Sequence, residues 1–318
     1  MLFALLNVLI SNSSLNAKAN ISQDFVPSFL DLPQPQIDTT TPSNELSDMQ
    51  KPMSDYFIKR GQNFDMSQLN QQILEILGQD SDRYGVSIIQ PTLGLQIQIN
   101  SDKILPPASI SKLPIAILIL KDIDAGKYSL DTDVVLTDED KAYESDSLYY
   151  YDSGVSLPIR EYLRFMLEES DNTAMTLLER VLGGSDLINS RTILELGVQR
   201  LFRLPMEATS SDIAKIWQGI YNQNYLSKSS SDLLINYLSN VTPSMQDRIP
   251  QGVPPGIKTA HKIGELYTDY GMAYNDSGIV YGSKYDFIVV VIDQDIEQGE
   301  ATSKIIKITQ AAYNFFEN

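Results

Sequence analysis

The feature that most constrains the fold is the run Leu113 to Leu120, which contains only apolar residues and one proline, Pro114. Wound as a helix, it is apolar on every side and has to sit at the centre of a fold with other elements packed round it. Pro114 is compatible with that helix because it falls near the start, where little or no hydrogen bond is lost. The segment before it reads Pro106-Pro107-Ala108-Ser109-Ile110-Ser111-Lys112. On a helix, Ser109 and Lys112 share one face, so the lysine amine can reach the serine hydroxyl and take its proton. Burial and a second cation would lower the pKa of that lysine and free it to act as a base. Unpaired N–H groups of the first helical turn favour negative charge developing at the serine. A serine in this place also serves simply as a helix cap. The pair alone does not decide between the two.

Composition narrows the choice. A chain of 318 residues can bury one large core or two ordinary ones, and 42% hydrophobic residues is the content of a soluble globular protein. A net charge of −17 with no basic cluster argues against a grip on nucleic acid or anionic membrane. There is no cysteine, which excludes disulfides, thiolate catalysis and Cys-ligated zinc. The single histidine, His261, excludes a His-x-x-x-His metal site, and a satisfied strand residue is its simplest reading. No metal or cofactor is expected.

Leu2 to Ile10 is an apolar run, interrupted by Asn7 and too short to span a bilayer, and Ala17-Lys18-Ala19 matches a small-x-small cleavage pattern. Residues 1–19 therefore read as a signal peptide, although no positive charge precedes the run. The expected location is periplasmic or extracellular, with a membrane tether as a variant. Residues 20–60, with Pro27, Pro33, Pro35, Pro42 and Pro52 among polar residues, read as a linker. Residues 61–318 form the globular part. Its periodicity predicts a helix from Met66 to Leu77 and two strands around Val86–Ile88 and Leu93–Ile99. The central helix follows, then a polar, tyrosine-rich connection from Asp131 to Gly154. Helices are predicted at 158–168, 173–182, 186–196, 211–221 and 229–238, then strands at 259–266, 278–281 and 287–292 and a final helix. The order implies an α/β fold in which both chain ends build one sheet and a helical lobe is inserted between them.

Three motifs now fall in order: Ser109-Ile110-Ser111-Lys112, Ser170-Asp171-Asn172 and His261-Lys262-Ile263-Gly264. They resemble the Ser-x-x-Lys, Ser-Asp-Asn and Lys-Thr-Gly signatures of class A β-lactamases and penicillin-binding proteins. Gly183-Gly184 after the second motif and Asn275-Asp276-Ser277-Gly278 after the third extend the likeness over residues 66–318. The resemblance implies an antiparallel sheet flanked by helices. It also implies that Ser109 is acylated, that Lys112 is its base or relay, and that Ser170 passes a proton to the leaving nitrogen. Lys262 would then keep the region electropositive. Asn172 would bind a substrate amide carbonyl, and the backbone N–H groups of Ser109 and Glu265, beside Gly264, would form an oxyanion hole. The implied substrate is a β-lactam or a peptide ending in D-alanyl-D-alanine, taken by a monomer. Read without the resemblance, Ser170-Asp171-Asn172 is a helix-capping turn and Lys262 a solvated strand residue.

Two departures from the pattern stand out. Ile263 replaces the hydroxyl residue that bonds the substrate carboxylate, a loss of about 1.5–3 kcal/mol. Arg248, fourteen residues before Lys262, either substitutes for it, as an arginine does in some class A members, or forms a structural ion pair. The loop that normally carries a water-activating glutamate is shortened. Counting on from Gly197 selects Glu207 for that role, whereas counting back from the helix start at Thr209 puts Glu207 where the family has no catalytic group. A β-lactam hydrolase, a D,D-peptidase and a non-catalytic binding domain all remain open at this stage.

Overall fold

A computed structural model describes residues 64–142, 146–200, 206–268 and 271–318. The signal peptide and the linker expected from the sequence both lie outside them. In chain order the elements are α1 (Met66–Leu77), β1 (Tyr84–Gln90), β2 (Leu95–Ile99), α2 (Lys112–Asp124), β3 (Asp133–Val135) and β4 (Ser156–Pro158). Then come α3 (Ile159–Glu168), α4 (Asn172–Leu182), α5 (Ser185–Leu196), α6 (Ser210–Tyr221) and α7 (Lys228–Ser239). The chain closes with β5 (Lys258–Thr268), β6 (Gly271–Tyr281), β7 (Phe287–Asp293) and α8 (Gln298–Glu317).

Five strands form one antiparallel sheet in the order β2-β1-β7-β6-β5. Its strands come from both sides of the helical insertion, as the element order implied. β7 reads as an unbroken apolar run because both faces of the sheet are covered. Val289 and Val291 face a core with Leu69 and Ile73 of α1 and Ile305 and Ile308 of α8. Their neighbours Ile288, Val290 and Ile292 face the second core, with α2 and the helical lobe. In α2, every residue from Lys112 to Leu120 is fully buried, the all-round packing that its composition demands.

Two elements exceed the sequence reading. β6 is eleven residues long, paired with β5 from Lys258↔Tyr281 to Thr268↔Gly271. Its first half, Gly-Met-Ala-Tyr-Asn-Asp-Ser, carries turn-forming residues that mask a strand. Tertiary bonds override that preference. Asn275 Nδ2 donates to the Pro106 carbonyl (2.8 Å), Asn275 Oδ1 accepts from Asp293 N (2.8 Å), and Asp276 accepts from Ile249 N (3.0 Å). The polar connection after α2 also holds β3, which pairs antiparallel with β4 just beyond it, Val134 opposite Leu157.

Candidate active site

Ser109 lies in a 3₁₀ turn, Ala108–Ser111, that runs directly into α2. The turn is held from several sides. Leu105 and Ala208 exchange backbone hydrogen bonds (both 2.9 Å), Asn275 fixes Pro106, and Ser111 Oγ donates to the Ala108 carbonyl (2.8 Å). Ala108 has φ +48°, a strained value for a residue with a side chain. The strain persists because those surroundings over-determine the turn.

The second motif occupies the joint between α3 and α4. Asp171 is the N-cap of α4, with Oδ1 accepting from Ala174 N (2.7 Å) and Oδ2 from Leu148 N (3.0 Å). Burial nevertheless pushes its carboxyl pKa up. Capping therefore accounts for Asp171, but not for its neighbours. Ser170, at φ +57°, and Asn172 both turn toward Lys112.

β5 brings the third motif. Gly264 is needed for close approach, since a Cβ there would lie 2.3 Å from the Pro107 carbonyl oxygen and 3.2 Å from the Ile110 side chain. Side chains alternate along the strand. Lys262 points with Gly264 toward the lobe, and His261 points the other way, its Nδ1 3.1 Å from each oxygen of Asp276. His261 is thus a buried strand residue with a partner, although its Nε2 has none among the described residues.

The side chains of the three motifs form one connected set. Lys112 Nζ donates to Ser109 Oγ (3.1 Å), Ser170 Oγ (3.1 Å), Asn172 Oδ1 (2.8 Å) and the Ser170 carbonyl. Lys262 Nζ donates to Ser170 Oγ at 2.8 Å. Both lysines are fully buried, so neither is a solvated surface cation. Burial, with a lesser push from the Arg248 charge, brings the Lys262 pKa down to about 7. Chemically, this array offers an amine in contact with a hydroxyl nucleophile. A second hydroxyl bridges the two amines and can relay a proton.

Asp146 went unnoticed in the sequence, lost in the polar connection. It is buried and accepts from Asn172 Nδ2 (3.2 Å) and Thr173 N (3.0 Å), fixing the amide that faces Lys112. Asn275 was visible only as part of the family likeness, and its role in holding the serine turn came from the fold.

Arg248 is fully buried, and its Nη2 donates to Glu265 Oε1. Its Nε lies 3.7 Å from Asp247 Oδ1, and neither Nε nor Nη1 has a hydrogen-bond partner among the described residues. Glu207 is not brought to the nucleophile. Its carboxylate is tied to Arg200 Nη1 at 2.5 Å and makes no hydrogen bond to Ser109, Lys112 or Ser170. The reason is local. Thr209 caps α6, Asp212 Oδ2 clamps the backbone N–H groups of Gln199 (3.1 Å) and Arg200 (2.6 Å), and Ala208 is locked to Leu105. Glu207 therefore lies just ahead of α6, paired with Arg200 rather than hydrogen-bonded to the Ser109 cluster.

Comparison with known proteins agrees with this layout. The chain is 26% identical over 276 residues to beta-lactamase VEB-1 from Pseudomonas aeruginosa, covering 79% of this chain and 91% of the relative. The crystal structure of a beta-lactamase from Chitinophaga pinensis superimposes with a TM-score of 0.69 at 25% identity, covering 79% of this chain and 99% of that one. PBP-A shares the fold, with a TM-score of 0.72 at 22% identity over 79% of this chain and 96% of its own. The model of the Beta-lactamase enzyme family matches residues 68–316, a span holding every element from β1 to β7 and all three motifs. By that match the chain belongs to the beta-lactamase enzyme family, whose members are serine hydrolases.

Proposed function

We propose that the protein opens β-lactam amides through an acyl-enzyme on Ser109. The observation that carries this reading is the contact of Lys112 Nζ with both Ser109 Oγ and Ser170 Oγ, at 3.1 Å each. Lys112 takes the Ser109 proton as the oxygen attacks the ring carbonyl, and the proton passes through Ser170 to the nitrogen as the C–N bond breaks. Lys262, 2.8 Å from Ser170 Oγ, supplies positive charge beside that transfer. Asn172 Nδ2 makes one hydrogen bond among the described residues, to Asp146, and its second N–H serves the substrate, while the backbone N–H groups of Ser109 and Glu265 receive the oxyanion. Water then cleaves the ester and returns a proton to Ser109. The relatives named beta-lactamases support this reaction.

One observation favours a second reading, a D,D-peptidase. The acid of the short connection, Glu207, is paired with Arg200 rather than free to activate water. An acyl-enzyme formed here is long-lived in consequence. The apolar run and the Ala17-Lys18-Ala19 pattern support action outside the cytoplasm, where both substrate classes occur. A monomer suffices for either reaction, since the three motifs all come from one chain. Nitrocefin hydrolysis lost in Ser109→Ala supports the first reading. Release of D-alanine from a stem peptide, with little nitrocefin turnover, supports the second.

A further inference from the structure

β5 is the edge strand of the sheet, and Gly264 lets it pack closely against the serine turn. Ile263 and Glu265 flank that glycine on the strand face opposite Lys262. Ile263 is buried and offers no polar atom, whereas the Glu265 side chain is 47% exposed. Glu265 meets Arg248, whose side chain is 0% exposed: one nitrogen is on Glu265, Nε lies 3.7 Å from Asp247 Oδ1, and neither Nε nor Nη1 has a hydrogen-bond partner among the described residues. A guanidinium so placed demands an anion, because a buried cation with open donors is costly. The Arg248 and Glu265 charges both act on Lys262, so the three belong to one electrostatic cluster beside Ser170.

We propose that Glu265 is a specificity-determining residue: its carboxylate occupies the anion position built by Arg248 and competes with the carboxylate of an incoming substrate. The inference rests on the acyl-enzyme reading above and names the substrate class within it. Penicillins and cephalosporins carry a carboxylate beside the ring nitrogen. At this site it meets an arginine already neutralised by Glu265, an isoleucine with no hydrogen bond to give, and a second negative charge. Acyl donors whose group at that position is uncharged or masked avoid the conflict. A carboxylate substrate first has to displace Glu265, which its half-exposed side chain permits.

The test compares penicillin G with its methyl ester on the full chain. Acylation rate constants for both are read by intact-mass time courses in the native protein and in Glu265→Gln, which keeps shape and removes charge. The acid-to-ester ratio is expected to rise about tenfold in Glu265→Gln, the effect of freeing one charged hydrogen bond. It is expected to fall back when Arg248→Lys is added, a change that keeps the charge and loses the planar fork. An unchanged or lower ratio in Glu265→Gln overturns the proposal. Dissociation constants for the same pair, measured by calorimetry in Ser109→Ala with and without Glu265→Gln, read the preference without chemistry. If the native chain is never acylated yet that binding ratio still rises, the hydrolase reading fails and the role of Glu265 stands. A binding ratio that does not move, or no binding of either compound, removes the role of Glu265.

Discussion

The nucleophile side of the site and the connection from Gly197 to Thr209 are built in opposite ways. Around Ser109, side chains from the 3₁₀ turn, α2, the α3–α4 joint and β5 converge on one another, and their hydrogen bonds run through Lys112 and Ser170. Among the described residues of the connection the polar contacts serve the chain itself: Asp212 of α6 clamps the backbone N–H groups of Gln199 and Arg200, and Glu207 binds Arg200. One region spends its charges on a reacting centre and the other on holding a short loop in shape. The difference teaches where to look for each step: among the described residues, the groups gathered at Ser109 suit formation of an acyl-enzyme, and Glu207 does not join them.

The sharpest way to break this comparison is Ser109→Ala. It is expected to abolish covalent labelling by a fluorescent penicillin and to lower nitrocefin turnover by about three orders of magnitude or more. Labelling that survived would put the nucleophile elsewhere. Gly264→Ala drives a Cβ to within 2.3 Å of the Pro107 carbonyl and forces β5 off the serine turn. Acylation is expected to fall about a hundredfold, and thermal unfolding to register a loss of about 1–3 kcal/mol. An alanine enzyme with native kinetics would mean that the close approach is not what positions the oxyanion donors.

Lys262 sharpens the comparison through pH. Its ammonium loses a proton as pH rises through about 7, so acylation is expected to decline on the alkaline side of that value, approaching tenfold per pH unit. Lys262→Arg keeps the charge and should carry the alkaline limb out of range. Stability moves the other way. In the unfolded chain the lysine keeps its proton up to about 10.5, so between pH 7 and 10.5 the unfolded state binds more protons and stability rises with pH. Denaturant titrations at pH 7 and 9 check that sign. The smallest effect is expected from Glu207→Gln, which should leave deacylation within about twofold, since an acid-dependent water step would lose far more. A hundredfold slowing would return Glu207 to the chemistry.

The sequence was most legible where pattern and packing coincide. An all-apolar run had to become a central helix, and the spacing of Ser109 and Lys112 survived into a 3.1 Å contact. The three motifs could be ordered along the chain, but their convergence depends on the strained turns at Ala108 and Ser170, which no local propensity reveals. The first half of β6 was hidden because Asn275 and Asp276 look like turn residues until their side-chain partners are known. Glu207 was ambiguous because two counting anchors conflicted, and the clamp by which Asp212 holds Gln199 and Arg200 is not visible in the residue order. The Arg248–Glu265 pair joins residues 17 apart across the edge of the sheet. Neither the periodicity of β5 nor the charge list connects them.

The most direct measurement is one time course: intact mass of the full chain after addition of penicillin G, with hydrolysed penicillin followed in parallel. A single adduct on Ser109 is expected to accumulate to completion and then decay slowly to free protein and hydrolysed drug. An adduct mapped to another residue would contradict it, and so would rapid hydrolysis during which no adduct ever accumulates.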